Sequence, residues 1–109
     1  MKQDYLQIKM LEVAPQVYAS GQLYESDLQL MAKQGARSIV NTLPSSADVA
    51  QAAEGYGITL VDFPIDPGPI DKDTAQAFAK TCEELKRPLI VCSHSGGHAT
   101  RIWETAEEM

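Results

Sequence analysis

The stretch from Arg87 to Trp103 reads R-P-L-I-V-C-S-H-S-G-G-H-A-T-R-I-W, and its reading decides the fold. Leu89-Ile90-Val91 is a short continuous apolar run opened by Pro88, the pattern of a strand buried on both faces. Ser93 to Gly97 follows as a small, polar, glycine-containing loop. Ala99, Ile102, Trp103 and Ala106 then recur at i, i+3, i+4 and i+7, the spacing of one helix face. Strand, glycine loop and helix start, in that order, gather an anion. The loop amides and the first helical N–H groups converge without internal partners, and the helix dipole adds positive potential.

Working outward, the same alternation repeats upstream. Tyr24 to Gln34 reads as a helix with Ser26 as its N-cap, Leu28, Met31 and Ala32 as its apolar stripe, and Gly35 at C′. Ser38–Asn41 is a short buried strand, Thr42 to Ser46 a loop holding Pro44, and Ala47 to Glu54 an Ala-rich helix ending near Gly55 and Gly57. Ile58 to Phe63 is a further strand closed by Pro64. Pro64 to Ile70 holds three prolines in seven residues, which makes it stiff and non-helical. Asp71 then caps the strongest helix, with Ala75, Phe78, Ala79, Cys82 and Leu85 on one face and Lys72, Asp73, Lys80 and Glu84 elsewhere. At the start of the chain, β-prone pieces around Ile8–Leu11 and Gln16–Ala19 are split by Pro15, and Ser20-Gly21-Gln22 makes a turn.

Strand–helix repetition with continuous apolar strands predicts an α/β fold of three layers, a mainly parallel central sheet flanked by helices. Ligands of such sheets sit beyond the carboxyl ends of the strands. The loops starting at Asn41, Pro64 and Ser93 are therefore expected to meet on one edge. No repeat or linker divides the chain, so residues 1–109 are expected to form one domain. The last helix stops at Met109 in mid-pattern, and Glu104, Glu107 and Glu108 are unfavourable near a helix C-terminus, so a C-terminal segment beyond it is expected.

The net charge of −6 excludes a nucleic-acid surface, which needs a clustered basic face. Any anion site must then draw its positive potential from local groups. Cys82 and Cys92 make no disulfide framework, and reduced thiols in a cytoplasmic compartment are the expectation. No signal-peptide core and no 18-residue apolar run occurs, so neither export nor membrane association is predicted. The sequence leaves the oligomeric state open.

Gly21-Gln22 after a short strand, Asn41 with Pro44 three residues on, Phe63-Pro64-Ile65, and Pro88-Leu89-Ile90-Val91 followed by Gly96 form an ordered set. It resembles the phosphatase-like domain of beta-lactamase-hydrolase-like proteins, a small bacterial branch of the cysteine-dependent tyrosine and dual-specificity phosphatase superfamily. The resemblance runs from about Val13 to Trp103. It implies a protein-tyrosine-phosphatase-like fold and the phosphoric-ester hydrolase class.

In that family the last strand ends in His or Tyr, then the nucleophilic Cys, with a Gly three residues later and an Arg on the loop or first helical turn. Matching Pro88 and Gly96 puts Cys92 at the His/Tyr position, Ser93 at the nucleophile and His98 at the Arg. A shift by one residue would make Cys92 the nucleophile, six residues before His98, but would put Ser95 at the required Gly. The family's Asn-x-Arg-Pro-Asp stretch here reads Asn41-Thr42-Leu43-Pro44-Ser45.

These departures touch the chemistry. A loop and helix N-terminus stabilise a thiolate, whereas a serine hydroxyl is far less acidic and needs a base. No adjacent base is evident, because His94, next in sequence, is expected to point away from Ser93. An Arg grips two phosphoryl oxygens with a bidentate fork, while a histidine offers one donor and is only partly charged near neutral pH. The resemblance thus implies a retained anion cradle with impaired catalysis, a pseudophosphatase. Its expected ligand is a phosphate- or sulfate-like anion or a phosphorylated molecule. The expected anion-binding residues are Ser93, His94, Ser95, Gly96, Gly97, His98 and, reaching back along the helix, Arg101.

Asp66, on the proline-rich loop, is either the general acid that this fold places there or a solvated turn residue. Asp71 reads as an N-cap only. No metal or cofactor is expected. His94 and His98 have a spacing that serves metals when both lie on a helix, and one of them falls in the loop. Two alternatives stand beside the main reading: an active hydrolase using Cys92 or unusual loop residues, and a metal-binding or regulatory interaction module through Cys92, His94 and His98.

Overall fold

A computed structural model describes residues 10–43, 47–66 and 68–108. The elements are β1 (Met10–Ala14), β2 (Val17–Ser20), α1 (Glu25–Lys33), β3 (Ser38–Asn41), α2 (Ala47–Gly55), β4 (Thr59–Asp62), α3 (Lys72–Glu83), β5 (Leu89–Cys92) and α4 (Gly96–Glu107). The five strands form one sheet in the order β1-β2-β5-β3-β4. The β1–β2 hairpin is antiparallel and every other pairing is parallel. Of the β-prone piece around Ile8–Leu11, Met10 and Leu11 lie in β1, which runs on to Ala14, and Ile8 and Lys9 lie outside the described residues.

Why these strands are central follows from their side chains. Along β5, Leu89 and Val91 join a core with Phe78, Ile102 and Trp103, whereas Ile90 and Cys92 join a second core with Leu28, Met31 and Val49. Alternate residues therefore face opposite layers, α3 and α4 on one side, α1 and α2 on the other. All four residues of β5, and all four of β3, are buried. The three-layer architecture read from the apolar runs is the one observed. Cys82 and Trp103 are core residues, as expected.

Two helix starts differ from the sequence reading. Helix α1 is capped at Tyr24 rather than Ser26: the Tyr24 N–H donates to Asp27 Oδ2 at 2.8 Å, and the Asp27 N–H donates to the Tyr24 carbonyl at 2.9 Å. The Asp27 carboxylate meets the cap from inside the helix, so no side-chain acceptor at the cap position is needed. Helix α4 begins at Gly96, not Ala99, because the Ser95 hydroxyl accepts from the His98 N–H at 3.0 Å and closes the first turn. Asp71 caps α3 as predicted, accepting from the Thr74 N–H at 2.7 Å. Gly35, with φ of +89°, ends α1 in the left-handed conformation that glycine adopts freely.

Register levels the carboxyl ends. Ser20 and Asn41 both pair with Cys92, and Asp62 pairs with Asn41. Loops leaving β3, β4 and β5 are then stitched together beyond that edge. The Thr42 N–H and Oγ1 each donate to the Cys92 carbonyl at 3.0 Å, and the Ile65 N–H donates to the Thr42 carbonyl at 3.1 Å. Phe63 anchors the start of the proline-rich loop edge-on against Phe78, with centroids 5.5 Å apart. Among the described residues, no helix is long and apolar enough to cross a membrane.

Candidate anion site at the sheet edge

The site begins where β5 ends. The Ser93 N–H donates to the Ser20 carbonyl at 3.1 Å, extending the parallel ladder by one residue before the chain turns. Because side chains alternate across a strand, this fixes which of two neighbours faces the helix α4 start. Cys92 points to the α1–α2 face, where its thiol donates to Asn41 Oδ1 at 3.0 Å. Ser93 points the other way, is fully buried, and its Oγ is hydrogen-bonded to His98 Nδ1. Sequence reasoning had found no base for Ser93. The missed partner lies one helical turn into α4, brought back over the loop because the helix starts three residues earlier than the apolar stripe shows.

In the tautomer protonated at Nε2, His98 Nδ1 accepts from the Ser93 hydroxyl and Nε2–H is left as a donor. His98 is half-buried and His94 exposed, their rings 6.3 Å apart and tilted by 35°. The Ser93 and His98 amides are both engaged. The amides of His94, Ser95, Gly96 and Gly97, which have no protein acceptor among the described residues, make up the candidate cradle. The helix start lies over β2: a Cβ at Gly96 would stand in ordinary contact, 3.9 Å, with the Ala19 carbonyl oxygen. No acidic residue occupies the first turn of α4, whereas α1 carries two there and α2 and α3 one each. The dipole of α4 is left uncompensated by its own side chains.

Electrostatics separate Cys92 from this cradle further. Burial pushes its thiol up to about 12, and the nearby charge of Asp62 raises it as well. Burial thus favours the protonated thiol, which faces the layer opposite to Ser93 and His98. Among the described residues, no three His, Cys, Asp or Glu side chains gather closely enough to hold a metal ion, and Cys92, His94 and His98 do not converge. Asp66 is exposed, one residue beyond the tie between Ile65 and Thr42, and no hydrogen bond joins its carboxylate to Ser93 or His98. Arg101 is exposed on α4. Asp62, not singled out from the sequence, stands level with Asn41 and Cys92 at the edge. The signal available for it was its place as the last residue before Phe63-Pro64.

Known proteins share this architecture. The fold is that of the protein-tyrosine-phosphatase-like phosphatases. A phosphatase candidate from Shewanella putrefaciens is 20% identical with a TM-score of 0.83, over 98% of this chain and 76% of that one. One from Neisseria meningitidis is 22% identical with a TM-score of 0.77, over 91% of this chain and 78% of that one. TpbA of P. aeruginosa in complex with pTyr is 15% identical with a TM-score of 0.62, over 79% of this chain but only 53% of that one. No curated protein sequence matches the chain. The family described as "Beta-lactamase hydrolase-like protein, phosphatase-like domain" matches residues 8–108. Nearly the whole chain is covered, and the chain belongs to that family.

Proposed function

We propose that the β5–α4 loop binds a phosphate-like oxyanion and that the domain turns it over slowly or not at all. The observation that carries this reading is the start of α4: four unpartnered amides over the pair of a buried Ser93 and a half-buried His98, with no carboxylate in the first turn. Backbone donors and the helix dipole favour an anion there, and His98 Nε2–H adds one side-chain donor. The relative in complex with pTyr supports a phosphoryl group as the ligand. Impairment is inferred from what stands at the two reactive positions. A serine replaces the thiolate, and a single imidazole replaces the guanidinium fork that would hold two equatorial oxygens in the transition state.

The experiment is calorimetric titration with phosphate, sulfate and vanadate, run beside hydrolysis of p-nitrophenyl phosphate from about pH 5 to 8. Millimolar or tighter anion binding with turnover at the protein-free rate is the expected result. No heat of binding for any of the three anions would overturn the reading.

One contact favours a second reading. His98 Nδ1 on Ser93 Oγ is the arrangement of a nucleophile with its base. In this version Ser93 Oγ attacks the ester centre and its proton passes to His98. His98 then returns the proton to the leaving phenoxide, and water hydrolyses the covalent serine intermediate. It predicts turnover of an aryl ester that His98→Ala abolishes, with a Ser93 adduct visible by mass spectrometry.

A further inference from the structure

The carboxyl edge of the sheet carries a cavity that the oxyanion reading does not use. Its volume is about 500 Å³, within the range of small-molecule pockets, and it opens on the α1–α2 face. Leu23, Leu43, Val49 and Leu60 give it apolar walls, and the Cys92–Asn41 pair is its buried floor. Because the Cys92 thiol stays protonated, that floor contributes no charge. Glu25 and Asp48 are the charged residues that line it among the described ones. Both are exposed at its mouth, and neither makes an ion pair among the described residues. Acidic residues suit any first helical turn. Here the two first turns flank one apolar cavity, which therefore combines a greasy interior with a negative entrance.

No residue of the 93–98 loop lines the cavity, but the chain leads from one to the other at two points. Cys92 lines it, and Ser93 is the next residue. Gln22 lines it too, and the adjacent Gly21 backs directly onto the loop: a Cβ there would lie 3.6 Å from the His94 carbonyl oxygen and from Ser95 Cα. We propose that this cavity is a subsite for a protonated primary amine on a short apolar body. One ligand then places its ammonium group between Glu25 and Asp48 and its phosphoryl group on the loop. The phosphoryl half of this inference rests on the oxyanion reading; the amine half does not.

The test uses three probes, inorganic phosphate, tyramine and O-phosphotyramine, on the full chain and on Glu25→Gln/Asp48→Asn. These two positions are exposed, so the variant keeps its core. O-phosphotyramine is expected to bind about tenfold more tightly than phosphate, about 1.4 kcal/mol, and the double variant to lose that gain while binding phosphate as before. Tyramine alone is expected to shift the NMR signals of Leu23, Leu43, Val49 and Leu60, and 4-ethylphenol, which lacks the amine, to shift them less. Equal affinities for phosphate and O-phosphotyramine, or a gain untouched by the double variant, would overturn the subsite. A response to tyramine without any to phosphate supports the subsite and overturns the oxyanion reading. A response to phosphate without any to tyramine does the reverse.

Discussion

Helices α3 and α4 are each twelve residues long and pack on the same face of the sheet, yet their N-termini are capped in opposite ways. At α3 the Asp71 carboxylate takes the Thr74 N–H, and Asp73 adds a second charge in the first turn. The Thr74 N–H, and its hydroxyl as well, hold the Asp71 carboxyl below the usual carboxylate range. That end supplies its own anion and has no use for another. At α4 the cap is the neutral Ser95, two glycines follow, and the amides from His94 to Gly97 are left open. Helix geometry alone creates donors at both ends; what the sequence puts beside them decides whether the donors serve folding or a ligand.

The largest expected change comes from placing the family's Cys and Arg at the α4 end. Ser93→Cys with His98→Arg puts a thiolate and a guanidinium over the same amides. Hydrolysis of p-nitrophenyl phosphate is expected to rise by about a thousandfold, roughly 4 kcal/mol of transition-state stabilisation. A double variant that folds, binds phosphate and shows no gain would mean that more than two side chains are missing.

Making α4 resemble α3 comes next. Ser95→Asp keeps a good N-cap and brings a negative charge into the cradle, so the fold is retained while phosphate affinity falls by about a hundredfold, roughly 2.7 kcal/mol. Calorimetry and a melting curve on one sample read both effects. Unchanged affinity would place the anion elsewhere.

Cys92 tests the same edge from the opposite face. It and Cys82 are both pushed up to about 12 by burial, Cys92 also by Asp62 and Cys82 against an opposing pull from Arg87. Below the ordinary thiol value of 9.0, folded and unfolded chains both carry neutral thiols and pH has no leverage. Above it, the unfolded chain releases protons that the folded one keeps until about 12, so stability falls across that window. At about pH 10 each thiol is expected to cost about 1.4 kcal/mol, read as a drop in urea midpoint that Cys92→Ala partly removes. Ready alkylation of Cys92 in the native protein near neutral pH would contradict its assignment as a buried neutral thiol.

The smallest effect belongs to the α3 end. Asp71→Ala is expected to lower the thermal midpoint by a few degrees and to leave phosphate binding untouched.

Much of this contrast was legible in the sequence, and the parts that were not have physical reasons. Leu89–Val91 and Ser38–Asn41 announced central strands because both faces are apolar, and proline and glycine punctuated nearly every turn. Asp71 announced its cap, since an Asp three residues before a donor at a helix start leaves little choice. The α1 cap was misplaced because the residue that satisfies Tyr24 is Asp27, inside the helix and not at the cap position. The start of α4 was misplaced because Gly96 and Gly97 have poor helix propensity, which the Ser95 cap and packing against β2 override. That error hid the Ser93–His98 contact. Loop residues five apart do not predictably meet; a strand end and the first turn of a helix do. The role of Asp62 depended on strand register, which apolar patterning does not reveal between parallel strands.

The account stands on whether the open end of α4 holds an anion, and an amide-resolved NMR titration with inorganic phosphate measures that directly. The signals of His94, Ser95, Gly96 and Gly97 are expected to shift together with one dissociation constant, while Thr74, at the start of α3, stays still. No movement of those four amides at millimolar phosphate, or equal movement at both helix starts, would contradict it.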